Sequence, residues 1–188
     1  MTVPTTGPAS SPTFHILAYD GIEPIDIGAT YGVMSMAKRV APGLSFRVLS
    51  RDGVAVVMAN DLVLGAHLAL AEAPRPDVLL VLGGPGWQAA AEDEAILAHV
   101  RAAAAAGAVL ASVCTGGMIL AAAGVLAGRP ATTKAETLPG EARPLDLLAE
   151  RGGAEARHAR IVDDGDLVTG GGVGLGVDLT LHLLRRFC

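Results

Sequence analysis

Apolar runs of strand length alternate along this chain with longer segments spaced at the helical period. Thr13–Tyr19 predicts a first strand. Ile27–Val40 predicts a helix, with Ile27, Tyr31, Met34 and Lys38 near the helical spacing. Ser45–Ser50 predicts a second strand, and Val54–Met58 with Leu62–Leu64, joined around Asn60 and Asp61, a hairpin appended to the sheet. Asp77–Leu82 is a continuous apolar strand that runs into Gly83-Gly84-Pro85-Gly86. Asp93–Ala106 predicts a helix closed by Gly107, a residue suited to a left-handed cap. Ala108–Val113 predicts another buried strand, and Gly116–Ala123 a short helix ended by Gly124. A hydrophilic stretch then leads to a helix near Leu145–Arg151 and to short strands near Ala156–Val162 and Asp166–Thr169. The last helix is expected from about Val173 to Arg186. Alternation of this kind predicts an α/β layered domain on a mostly parallel sheet.

Composition narrows the picture. The 188 residues suit one domain, over residues 13–188, after a polar lead-in at residues 1–12 that is expected to be flexible. Apolar residues make up 51% and charged residues 18%, which excludes global disorder. The lead-in has no basic start and no apolar centre, so no secretory signal is expected and a cytoplasmic location is. The longest apolar run is Ala-rich, broken by Gly107 and Ser112, and too short for a membrane span. Net charge is −5 with no Lys/Arg stripe, which gives nucleic acid no footprint. The two cysteines, Cys114 and Cys188, are expected as reduced thiols.

Three segments are expected at the carboxyl ends of the strands, where open α/β sheets bind ligands. They are Gly21–Asp26, Gly83–Gly86 and Cys114–Gly117. A nucleophile lifted onto a tight turn needs small flanks, which Ser112, Gly116 and Gly117 supply around Cys114. The following helix would aim N–H groups at the sulfur and lower its pKa. A free cysteine can equally be a small buried hydrophobe. The glycine turn, through Gly83 and Gly84, is a natural oxyanion-stabilising element. Its rival reading is a dinucleotide fingerprint, Gly84-x-Gly86-x-x-Ala89, but the following strand ends Ala111-Ser112-Val113-Cys114 without the acidic ribose ligand. No cofactor or metal is therefore expected. Gly170–Gly176 reads as a closely packed strand-to-helix turn. Position alone makes Asp26 a helix cap, with Glu23 pointing outward. None of the five histidines stands immediately after Cys114, so no Cys–His dyad is legible.

Four motifs in order carry a resemblance. They are Tyr-Asp-Gly-x-x-x-x-Asp26, Leu82-Gly-Gly-Pro-Gly, Ser-Val-Cys114-Thr-Gly-Gly, and Thr169-Gly-Gly-Gly-Val followed by Asp178. Over Phe14–Arg186 the chain resembles the ThiJ/PfpI superfamily. That resemblance implies a class I glutamine-amidotransferase-like, flavodoxin-like three-layer sandwich. It implies Cys114 as the elbow nucleophile, Asp26 as a protonated acid beside it, and Gly84 as an N–H donor facing the sulfur. Protease-like and glyoxalase-like members usually carry Glu at the acid position and His after the Cys, where this chain has Asp26 and Thr115. The combination is similar to the isocyanide hydratase branch, and to the ligand-domain half of AraC-type regulators. Those regulators add a helix-turn-helix region, whereas this chain stops at Cys188, so DNA binding is not expected. Related sequences often read Ala-Thr-Thr-His-Trp where this one reads Ala131-Thr-Thr-Lys134-Ala135, which changes a pocket wall.

The resemblance thus implies a cysteine-dependent enzyme that hydrates an isocyanide to an N-substituted formamide, with Thr115 lending its hydroxyl or N–H. Two alternatives stand beside it: a glyoxalase or deglycase acting on α-oxoaldehydes such as methylglyoxal, and a stress-response or redox-sensing protein whose Cys114 oxidises. A small-molecule substrate and a homodimer are the partners it leads one to expect.

Overall fold

A computed structural model describes residues 12–172 and 174–188 of the chain. Apart from Pro12, the expected lead-in lies outside the described residues, as does Val173. In chain order the elements are β1 (Thr13–Leu17), α1 (Pro24–Ala37), β2 (Ser45–Ser50), β3 (Val56–Val57), β4 (Val63–Leu64), β5 (Leu68–Ala69) and β6 (Val78–Val81). There follow α2 (Trp87–Glu92), α3 (Glu94–Ala105), β7 (Val109–Ser112), α4 (Gly116–Ala122), β8 (Pro130–Ala131) and α5 (Pro144–Gly152). The last are β9 (Glu155–Ala156), β10 (Ile161–Asp163), β11 (Leu167–Gly170) and α6 (Leu175–Phe187).

Seven strands form one sheet in the order β10–β11–β7–β6–β1–β2–β5, parallel except for the β10–β11 pair. The continuous apolar runs of the sequence become its middle, because a strand covered on both faces has no position that must be polar. Every residue of β6, β7 and β11 is buried. Helices α1 and α6 pack against each other, and α2 to α5 form a second packed group. The result is the mostly parallel α/β sandwich that the alternation predicts. Its strand order reverses between β1 and β6, and the crevice of such a sheet opens at that switch point. Among the described residues no helix is long and apolar enough to cross a membrane.

Several boundaries move for identifiable reasons. Helix α1 starts three residues earlier than its apolar spacing suggests, because Pro24 takes the first helical position, where its missing N–H costs nothing. Asp26 is therefore inside the first turn and is not a cap. The hairpin exists as β3 and β4, but the two pair only with each other. It is tied to the loop after β1, where Gly21 N–H donates to Val57 O (2.7 Å) and Ala59 N–H to Ile22 O (2.9 Å). The large sheet's edge is instead the unforeseen β5. Asp93 caps α3, its carboxylate accepting the Ala95 and Ile96 N–H groups, and a separate helix, α2, precedes it. The single strand expected near Ala156–Val162 is two, because the chain changes partner there. Arg157 N–H bonds Ala131 O (2.8 Å), while Arg160 O already accepts Gly171 N–H (2.9 Å).

One polar residue sits where none belongs. His15, in central strand β1, is fully buried and neither ring nitrogen finds a partner. Burial first, then the nearby His99 and Arg47, lowers its pKa to about 4, so the ring is neutral at neutral pH.

Candidate active site

The β7–α4 turn places Cys114 at φ +52°, a left-handed conformation that costs an L-residue about 1–3 kcal/mol. Three bonds around it hold that conformation. Cys114 N–H donates to Gly171 O (3.3 Å), Thr133 hydroxyl donates to Cys114 O (2.7 Å), and Val113 N–H donates to Val81 O (3.0 Å). Thr133 belongs to the Ala131-Thr-Thr stretch, whose other threonine receives Thr169: Thr132 N–H donates to Thr169 Oγ1 (2.9 Å). The elbow is thus clamped from β11 and from the segment after β8.

The three expected segments do converge, and their glycines explain how. A Cβ on Gly86 would lie 2.0 Å from Asp20 O, and one on Gly84, at φ +147°, 2.3 Å from Gly21 O. The loops after β1 and β6 therefore lie backbone on backbone, joined by Glu23 N–H to Gly83 O (2.9 Å) and Gly86 N–H to Gly21 O (3.1 Å). A Cβ on Gly83 would lie 2.8 Å from Cys114 Cβ, which brings the third segment against the same turn.

That packing corrects the oxyanion expectation. Gly83 N–H donates to Asp26 Oδ2 (3.0 Å) and Gly84 N–H to Thr115 Oγ1 (2.9 Å), so both are occupied and Gly84 N–H does not serve the sulfur. Gly116, expected to touch substrate, donates its N–H to Val113 O (2.9 Å) and is needed for space, since a Cβ there would lie 2.2 Å from Val81 O. The dinucleotide reading fails on the same ground, because Gly86 N–H is likewise taken and a pyrophosphate would find no free donor in this turn.

Asp26 is buried in the floor of the site. Burial raises its pKa to about 6 against the opposing Gly83 N–H, with the charge of Glu23 adding to the rise. Below the ordinary carboxyl pKa both folded and unfolded chains hold this proton. As pH rises through about 6 the folded protein must ionise a buried group, so stability is lost in that window. Asp26→Asn, which keeps an acceptor for Gly83 N–H, is expected to raise unfolding stability by roughly 3 kcal/mol above pH 7 and to change nothing below pH 4. Urea melts at the two pH values check it.

The sulfur departs from expectation in the same sense. Burial first and the Asp26 charge second push the Cys114 thiol up to about 11, although the Thr115 N–H, Lys134 and the Thr115 hydroxyl all favour the anion. The expected depressed pKa is overruled because α4, at seven residues, is a short dipole set against a buried sulfur with a carboxylate for a neighbour. Both shifts follow from burial, and the two groups feel each other's charge.

The sulfur opens onto a cleft of about 800 Å³ whose walls include Glu23, Gly84, Trp87, Thr115, Lys134 and Leu147. None of the five histidines lines it. Glu23 faces this cleft and does not point away from it. Two residues were not anticipated. Trp87 lines the cleft from the start of α2, and Tyr19, buried behind the site, donates its hydroxyl to Leu82 O (2.9 Å). The Tyr-Asp-Gly motif contains that tyrosine, but strand periodicity alone reads it as the end of β1. Both cysteines are free thiols, and among the described residues no three His, Cys, Asp or Glu gather as a metal site.

Comparisons with known proteins agree with this fold. The model of the DJ-1/PfpI family matches residues 13–186. The isonitrile hydratase of Pseudomonas putida is 33% identical over 170 residues, covering 90% of this chain and 69% of that protein. A ThiJ/PfpI family protein from Pseudomonas syringae superposes with a TM-score of 0.81 at 27% identity, covering 99% of this chain and 76% of that one. DJ-1beta of Drosophila melanogaster superposes with a TM-score of 0.77 at 21% identity over 94% of this chain and 90% of its own, a likeness of fold.

Proposed function

The chain belongs to the DJ-1/PfpI family, and from that premise we propose that it is a cytoplasmic, cysteine-dependent hydratase that converts an isocyanide to an N-substituted formamide. The observation that carries the reading is a buried thiol at a left-handed turn, with the charge of the buried Asp26 felt at the sulfur, opening on a cleft that no histidine lines. The similarity to the isonitrile hydratase of Pseudomonas putida, whose name states that chemistry, supports it. Asp26 is then the proton carrier. As the sulfur attacks the terminal isocyanide carbon, Asp26 takes the thiol proton and passes it to that carbon, leaving a thioimidate on Cys114. Water adds to the same carbon, the C–S bond breaks, and the formamide departs with the water's second proton on nitrogen. Sulfur and carboxyl are restored, and one water has been consumed. Thr115 supports the developing thiolate with its backbone N–H, while its hydroxyl, which donates to Gly84 O (3.2 Å), locks the glycine turn. Loss of aryl isocyanide absorbance with purified protein, compared with Cys114→Ala, tests the reading. Equal rates would refute it.

A homodimer completes the proposal. Helix α1 is largely apolar all round, and its Met36 lies exposed in one groove with Val177 and Leu181 of α6. A helix that is hydrophobic all round needs cover on every side. Gly28 and Gly32 on that face have no heavy atom within 4 Å of a built Cβ, which leaves room for close helix approach. The expected mass by light scattering is twice 19.0 kDa, and Gly32→Trp is expected to halve it.

A further inference from the structure

Resting on that reading of the site, we propose that Lys134 makes it selective for substrates that carry a carboxylate close to the reacting group. Lys134 is the one cationic side chain on the wall of the Cys114 cleft. It also lines a second, adjoining cleft of about 420 Å³ with His158, Arg160 and Gly172, so it stands on the partition between the two. Its neighbours are engaged elsewhere. Arg160 pairs with Asp178, Glu136 faces His158 at 3.8 Å, and Glu141, the acid nearest along the cleft, accepts Leu138 N–H (3.2 Å). No carboxylate of the described residues forms an ion pair with Lys134, although the chain has more acids than bases to offer it.

A half-buried lysine without a counter-ion, lining the cleft that holds the sulfur, is a specificity element with its partner still to come. Its charge is felt at the sulfur, where it favours the anion. Glu23, the N-cap residue of α1, lines the same cleft with the contrary charge and disfavours an anion beside it. The two together orient a substrate: its anionic group toward Lys134, its apolar body against Trp87 and Leu147. The substrate class is therefore a carboxylate-bearing small molecule, which for isocyanide chemistry means an isocyano acid.

The test separates this proposal from the reaction it rests on. Iodoacetate and iodoacetamide both alkylate a thiolate with loss of iodide, and they differ in a single negative charge. Alkylation of Cys114 is followed by peptide mass spectrometry, with the exposed Cys188 replaced by Ser. The iodoacetate-to-iodoacetamide rate ratio, normalised to that of 2-mercaptoethanol, is expected to exceed one in the wild type. It should fall about fivefold in Lys134→Met and stay high in Lys134→Arg. One molar salt should depress the wild-type ratio without any variant. A wild-type ratio at or below that of 2-mercaptoethanol, or an unchanged ratio in Lys134→Met, overturns the proposal. Failure to consume any isocyanide leaves this ratio standing and refutes only the reaction. Where isocyanides are consumed, Lys134→Met is expected to raise KM about fivefold for a carboxylate-bearing isocyanide and to leave KM for a neutral one unchanged.

Discussion

Cys114→Ala is expected to lose isocyanide hydration by at least about a thousandfold while keeping the fold. The reaction proposed for this site is covalent, so removing the sulfur removes the step and not merely a contact. The residue is buried in a turn clamped by Gly171, Thr133 and Val81, none of which bonds its side chain. Alanine therefore inherits the same backbone, the same positive φ and the same hydrogen bonds. Cys114→Gly should be equally inactive yet more stable by about 1 kcal/mol, because glycine adopts φ +52° without strain. That pairing of lost activity with gained stability marks a residue retained for its chemistry. The wild-type rate is expected to fall as pH drops through about 6, since a protonated Asp26 no longer accepts the thiol proton. Initial rates across pH and thermal melts of the three proteins check these outcomes together.

Gly116→Ala is expected to remove at least about 4 kcal/mol, a large share of the roughly 5–15 kcal/mol that stabilises a domain, and to lower the yield of soluble protein. The added Cβ would lie 2.2 Å from Val81 O and 2.8 Å from Leu82 O. Both obstacles are backbone of the central strand β6 and its exit, so neither moves as a flexible side chain would. The helix must retreat from the sheet, taking Cys114 and its clamp with it. Gly65→Ala is the control. No heavy atom lies within 4 Å of its built Cβ, and its stability should stay within about 0.5 kcal/mol of wild type. Urea unfolding of both variants decides the point.

Much of this protein is written locally. The fully buried strands β6 and β7 announce themselves as Val-Leu-Leu-Val and Val-Leu-Ala-Ser, because two covered faces require apolar residues at every position. The elbow is legible too, since a cysteine between small neighbours fits few other backbones. What misled was the meaning of the glycines. Gly83, Gly84 and Gly116 suggested donors for an anion, and the structure uses them to let three loops touch, with Asp26, Thr115 and Val113 accepting their N–H groups. A one-dimensional pattern shows that a Cβ is missing, not which atom would have met it.

Charge shows the same limit. The local view of Cys114, a helix starting just beyond it, predicts a lowered pKa. The tertiary view adds a buried cavity wall and a carboxylate drawn from 88 positions earlier in the chain, and both push the other way. His15 is a sharper case, a histidine whose burial in β1 no strand pattern foretells. By itself the sequence determined the layers, the central strands and the tight turn at Cys114, because those follow from periodicity and from small residues at a turn. The tertiary structure alone decided which N–H groups are taken, which way the Asp26 and Cys114 pKa values move and that Lys134 shares a cleft with the sulfur, because those depend on burial and on distances between segments far apart in the chain.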